Sequence, residues 1–216
     1  MSTCDAHDAL SDTFFEARKA ELEGRLKPAR FAHALGVMHA AQELARTYGV
    51  DERAARLAGL LHDWDKNYDD EGIRQRAEEL GLVVDPYVFQ DMPRLLHGPT
   101  AAAALVREFP SLPHEVVQAI ERHTAGAPNM TDLDMIVYVS DALEPGRDYP
   151  GIQALRDLVE RVPLEELFLK TFQHVLLNLV ERCKNIHPQT LEVWNYYVDR
   201  ARERASATKS KKEGKA

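Results

Sequence analysis

Cysteine is nearly absent. Only Cys4 and Cys183 occur among 216 residues, far apart and without paired spacing, which excludes a disulfide framework and a thiolate zinc site. A reducing cytoplasm fits that usage. Excess basic charge is missing as well: 27 Lys and Arg stand against 35 Asp and Glu, a formal net charge of −8. No basic run crosses the body of the chain, so a nucleic-acid groove is not expected. No apolar run approaches the ~20 residues that span a bilayer. The first eight residues, Met-Ser-Thr-Cys-Asp-Ala-His-Asp, lack the positive region and apolar core of a signal peptide. A cytoplasmic protein without membrane or nucleic-acid partners is expected.

Strand-like alternation of apolar and polar residues is also missing, whereas apolar residues recur at helical intervals almost throughout. The expected fold class is all-α, a single compact helical domain, since 216 residues with 44% hydrophobic content suit one core. The pattern predicts an N-terminal extension with a first helix over 1–27, a main domain over 28–204 and a disordered Lys-rich tail over 205–216.

Pro28 opens a helix whose apolar face carries Phe31, Leu35, Met38, Ala41 and Ala45, and Gly49 closes it. Asp51 caps the next helix, which buries Ala54, Ala58 and Leu61 and ends at His62-Asp63. A helix over 71–80 stops at Gly81, and the stretch 83–94, holding Pro86 and Pro93, is expected to be irregular. His97 then falls in a loop ahead of an alanine-rich helix opened by Pro99 and running to about Phe109. Ser111 caps a helix reaching His123, and Thr131 with Asp134 forms a capping box before the apolar run 135–139 that leads to Asp141. Two further helices, roughly 163–183 and 189–204, read as core support.

The chemistry concentrates in His62-Asp63, at the head of His-Asp-Trp-Asp-Lys (62–66). The doublet alone says little, because His7-Asp8 repeats it without partners. Around it stand His33, His97, His123 and Asp141, each at an end or edge of an apolar helical segment. Singly, each has a structural explanation: a helix-capping carboxylate for Asp141, a dipole interaction for His123, an interfacial histidine for His33 and a loop histidine for His97. Together they supply four imidazoles and two carboxylates, a set suited to two metal ions about 3.5–4 Å apart with Asp63 as bridge. Mixed nitrogen and oxygen donors suit iron, manganese, cobalt or zinc better than calcium or magnesium. Water activated at such a centre attacks phosphate esters or anhydrides.

Cations stand near these ligands. Lys66 follows Asp63 by three residues and Arg30 precedes His33 by three, so each lies about one helical turn from a ligand. Arg147 follows Asp141 closely enough to bend back. Trp64 and Tyr68 are expected to pack rather than carry a base. His39, His114, His174 and His187 read as surface or packing residues.

Taken together, Arg-Phe-Ala-His (30–33), Ala-Gly-Leu-Leu-His-Asp-Trp-Asp-Lys (58–66), Leu-Leu-His-Gly (95–98), Ala-Ile-Glu-Arg-His-Thr-Ala-Gly (119–126) and Val-Tyr-Val-Ser-Asp-Ala-Leu-Glu-Pro-Gly-Arg (137–147) resemble the HD-superfamily phosphohydrolases. Within them the chain is similar to the YqeK-type bacterial enzymes, which split diadenosine tetraphosphate symmetrically into two ADP. The resemblance runs from about Pro28 to Arg147 and more loosely to His-Pro-Gln-Thr at 187–190. It implies a di-iron centre on His33, His62, Asp63, His97, His123 and Asp141, with catalytic roles for Asp63 and Lys66. It also implies substrate contacts from Lys66, Thr124, Glu144 and Arg147, to which the spacing adds Arg30; a homodimer is a further expected partner arrangement. Ala34 stands where the family has a small hydroxyl residue, and His-Thr-Thr-Gly is here His-Thr-Ala-Gly. Another nucleotide or phosphate ester as substrate, or a non-catalytic nucleotide sensor, are the alternatives.

Overall fold

The computed structural model describes residues 9–213, with side chains through Ala207. The expectations that fall on Cys4, His7-Asp8 and residues 214–216 lie outside the described residues. Its helices are α1 (Asp12–Arg25), α2 (Pro28–Tyr48), α3 (Glu52–Leu61), α4 (Asp70–Glu79), α5 (Pro86–Asp91), α6 (His97–Glu108), α7 (His114–Arg122), α8 (Asp132–Leu143), α9 (Ile152–Arg156), α10 (Leu164–Glu181) and α11 (Thr190–Glu213). A 3-10 turn spans Pro93–Leu96, and the described residues contain no strand, so the fold is all-α.

Helix α8 is the axis of the core. Every residue from Leu133 to Ser140 is buried, as befits a helix that is apolar nearly all round, and it packs against α2, α3, α7 and α10. Its start is the capping box of the sequence reading: the Thr131 hydroxyl accepts from Asp134 N, and the Asp134 carboxylate accepts from Thr131 N. Helices α2 and α3 form an antiparallel pair around Gly49, which is left-handed at φ 74°. The Asp51 side chain accepts from Arg53 N and Ala54 N. Gly59 lets the pair close up, since a Cβ there would sit 3.1 Å from Met38 Cα and Val37 O.

The structure departs from the sequence reading at the edges of elements. Residues 83–94 are largely ordered: Asp85 accepts from Tyr87 N and Val88 N, and Pro86 sits at the first turn of α5, where its fixed φ favours a helix start. The 3-10 turn then leads directly into α6, so His97 opens a helix instead of lying in a loop. Helix α7 is preceded by Pro113, with Ser111 in the turn before it. Helix α11 runs on to Glu213 and not to about 204, through a stretch rich in the helix formers Ala, Arg, Glu and Lys. Helix α1 joins the main core through Phe15, Leu22 and Leu26, and the Phe14 ring meets Phe109 edge-on at 5.6 Å. Among the described residues, no helix is long and apolar enough to cross a membrane.

Candidate metal centre

Five helices deliver one residue or two each to a single point. His33 sits in the second turn of α2, His62 ends α3 with Asp63 in the turn beyond, His97 opens α6, His123 ends α7, and Asp141 lies in the last turn of α8. All six residues singled out in the sequence are brought together.

Local backbone geometry sets three of the imidazoles. The Nδ1 atoms of His62, His97 and His123 lie 2.7, 2.6 and 2.7 Å from the carbonyl oxygens of Gly59, Arg94 and Ile120, each three residues upstream. A ring that donates Nδ1–H to a carbonyl presents Nε2 as a bare lone pair, the tautomer a metal requires. Those lone pairs face one another, with Nε2 of His97 and His123 3.0 Å apart. Asp63 Oδ1 lies among them, 3.0 Å from His97 Nε2, 3.5 Å from His62 Nε2 and 3.8 Å from His123 Nε2. His62 Nε2 and Asp63 Oδ1 are buried with no hydrogen-bond partner among the described residues. Acceptors crowded at one point repel, and a cation turns that repulsion into coordination. The residues therefore fit a metal centre. Two groupings bring their donor atoms within 4.8 Å of one another: His33, His62 and Asp141, and His62, Asp63 and His123.

Electrostatics favours the ligand forms of His62, Asp63, His123 and Asp141. Burial pushes His62 down and His123 well down from the ordinary histidine pKa, and neighbouring imidazoles add to the effect. Burial alone would raise Asp63 and Asp141, but nearby histidines prevail: His62 and His97 hold Asp63 well below the carboxylate range, and His33 and His62 do so for Asp141. His33 is raised despite its burial, because Asp141 and Glu144 both bond it. Neutral imidazoles beside ionised carboxylates are the state that binds metal, and His33, placed between two carboxylates, would give up a proton to join it.

The surrounding residues divide into two sets. Lys66 Nζ lies 2.9 Å from His97 Nε2 and 3.3 Å from Asp63 Oδ1, on the open side of the centre. Arg147 does bend back, its Nη2 2.7 Å from Asp141 Oδ1. Thr124 donates its hydroxyl to the Leu95 carbonyl. Glu144, expected on the nucleotide side, is buried behind the centre, with Oε1 3.1 Å from His33 Nδ1 and Oε2 accepting from Gly146 N. Trp64 packs in the core with the Arg25 guanidinium 4.1 Å from its ring centroid, as the packing reading expected.

A cavity of about 410 Å³ opens from the centre, with Lys66, His97, His123, Thr124, Asp141 and Arg147 on its inner wall. The outer wall holds residues given no functional role in the sequence, His174 among them as an expected surface or packing residue. Tyr149 stacks on His174 at 5.0 Å and 26°, and Asn178 and Arg182 continue one face of α10 beyond them. The signal was present as polar residues at 174, 178 and 182, one turn apart on an apolar helix. On a lone sequence that spacing reads as a solvated face.

Comparison with known proteins agrees with this geometry. The HD domain model matches residues 30–146. A Bacillus subtilis protein named bis(5′-nucleosyl)-tetraphosphatase, symmetrical, is 30% identical over 183 residues, covering 85% of this chain and 97% of its own. A Staphylococcus aureus protein of the same name is 32% identical over 186 residues, covering 84% and 93%. A crystal structure from Clostridium acetobutylicum, described as a "predicted HD superfamily hydrolase involved in NAD metabolism", superposes with a TM-score of 0.79 at 32% identity, covering 86% of this chain and 97% of that one. With its histidines and aspartates gathered at one point and more than half its length matched, the chain belongs to the HD domain family.

Proposed function

We propose that this protein is a metal-dependent hydrolase, a symmetrical bis(5′-nucleosyl)-tetraphosphatase that adds water across the central anhydride of diadenosine tetraphosphate and releases two ADP. The observation that carries the reading is the cavity beside the centre: at about 410 Å³ it has the volume of a nucleotide site, with cations at the metal end and a stacked Tyr149–His174 pair on its wall. Relatives that share nearly their whole length with this chain bear that activity in their names.

In this reading His33, His62, Asp63, His97, His123 and Asp141 would hold two metal ions between them. Iron is the first choice, with manganese, cobalt or zinc compatible with the same donors. The pair, when bound, supplies Lewis acidity and lowers the pKa of water toward neutrality. The chain's own residues do the rest. Lys66 and Arg147 neutralise charge building on phosphoryl oxygens, the dominant protein contribution to such transfers. Arg30 adds a cation, and Thr124 offers a hydroxyl at the cavity wall. Glu144 acts through His33, taking its Nδ1–H so that Nε2 faces the centre. The catalytic unit is residues 28–204, braced by α1. An exposed, free Cys183 accords with a reducing cytoplasm.

The test is product identification by anion-exchange chromatography, with protein reconstituted anaerobically with iron, and separately with manganese or cobalt, acting on diadenosine tetraphosphate. ADP as sole product is expected. ATP with AMP overturns symmetrical cleavage, and no turnover with any metal overturns the substrate.

A further inference from the structure

A four-phosphate chain cut at its middle leaves two equal halves, each with two phosphates and one nucleoside, and the main cavity has the volume for one of them. Across Lys66 and His97 lies a second recess of about 30 Å³, lined also by Arg30, Asp65, Tyr68 and Arg94. Its charge is positive. Asp65, the one carboxylate among these residues, has no exposed side-chain surface and is held 3.3 Å from both Arg25 Nη2 and Arg76 Nε, which neutralises it. Arg30, Lys66 and Arg94 face the recess, Lys66 paired with Asp63 and Arg94 with Asp70, so Arg30 is the cation there without a carboxylate partner among the described residues.

Arg30 Nη1 is buried and has no hydrogen-bond partner among the described residues. A buried donor without an acceptor destabilises the fold, and an anionic oxygen arriving in the recess supplies what it lacks. Arg94 is 74% exposed and is bonded to Asp70 through Nε, at 2.8 Å, so its two terminal nitrogens are left for an anion. Tyr68 stands at the rim, 42% exposed, with its ring lying against the bare backbone of Gly72. Cations near the centre with an aromatic ring farther out repeat, on this side, the order found in the main cavity.

We infer that this recess takes a phosphate oxygen of the second half of the dinucleotide, Arg30 and Arg94 binding its phosphates, while the nucleoside lies outside over the rim with Tyr68 stacking its base. The inference rests on the proposed tetraphosphatase activity. It assigns the two halves of a symmetrical substrate to two unlike surfaces on either side of Lys66.

Tyr68→Ala and Arg94→Ala, both at exposed positions, are compared with wild-type metal-loaded enzyme on diadenosine tetraphosphate and on adenosine 5′-tetraphosphate, which lacks the second nucleoside. In Tyr68→Ala the ratio of KM for the dinucleotide to KM for the mononucleotide rises roughly tenfold, the worth of one base stacked on an aromatic ring. In Arg94→Ala both KM values rise together, because both substrates carry the distal phosphates. Affinity for an uncleavable dinucleotide with a methylene group in the central bridge, measured by calorimetry, falls in both variants. Wild-type cleavage of the dinucleotide with an unchanged KM ratio in Tyr68→Ala overturns this inference alone. Wild-type enzyme that leaves the dinucleotide intact removes the proposed function and this inference together.

Discussion

Glu144 Oε1 lies 3.1 Å from His33 Nδ1, joining two residues 111 positions apart at the back of the metal centre. The contact fixes which nitrogen of His33 faces Asp141, whose Oδ1 is 2.9 Å from Nε2. Gly36, one turn beyond His33 on α2, makes room for it, since a side chain there would collide with Glu144 Oε2. Glu144→Ala should lower metal affinity about 10–100-fold, the usual effect of losing a ligand's outer partner. Gly36→Ala should shift affinity in the same direction by displacing the carboxylate. Competition against a chelator of known affinity measures both, and unchanged curves would separate Glu144 from metal binding.

Asp63 and Lys66 sit 3.3 Å apart but should fail differently. Asp63→Ala removes the oxygen that three imidazoles surround, so metal content and turnover are lost together. Lys66→Met keeps the stem and removes only the charge. It should retain metal while kcat falls about 10²–10³-fold, the range for deleting one preorganised charge-stabilising donor. Metal analysis on the purified variants beside steady-state rates separates the two, and full activity in Asp63→Ala would refute the centre.

The buried histidines make metal-free protein sensitive to mild acid. His62 and His123 have folded-state pKa values below the ordinary 6.5, so below that pH the unfolded chain takes up protons that the folded one refuses. Stability falls wherever the unfolded state binds more protons as pH drops. The thermal midpoint of metal-free protein should decline below about 6.5, where the stabilising contribution of His33, whose pKa is raised, is already complete. Replacing His123 with Gln should flatten that decline, and a midpoint that rises as pH falls below about 6.5 would contradict the assignment.

Three of the six candidate ligands were legible because they close apolar helical stretches whose period is read directly: Leu61 precedes His62, Ile120 lies three residues before His123 and Val139 two before Asp141, whereas His33 and His97 stand near helix starts and were picked out by residue type. The wall opposite them was not. His174 and Asn178 lie on the polar side of α10, and only the docking of that helix on α8 turns this side into a cavity wall. Glu144 was visible as a motif residue, but its direction depends on a partner on α2 that no local pattern announces. The order in 86–96 was concealed by two prolines, which read as breakers and serve here as first-turn residues of α5 and the 3-10 turn.

Two glycines on helices offer a test with opposite signs. A Cβ at Gly59 would meet Ala41 Cβ at 3.0 Å and the α2 backbone at 3.1 Å, so Gly59→Ala forces α3 away from α2. Overpacking of that kind costs about 1–3 kcal/mol. Because the Gly59 carbonyl also fixes the His62 ring, the same shift should weaken metal binding. Gly24, near the end of α1, has nothing within 4 Å of its would-be Cβ. Gly24→Ala should therefore stabilise by roughly 0.5–1 kcal/mol through helix propensity, with metal affinity unchanged. Denaturant midpoints read the two stabilities and chelator competition the two affinities. If both variants lost stability with metal affinity intact, the close approach of α2 and α3 would not be what holds His62 in place.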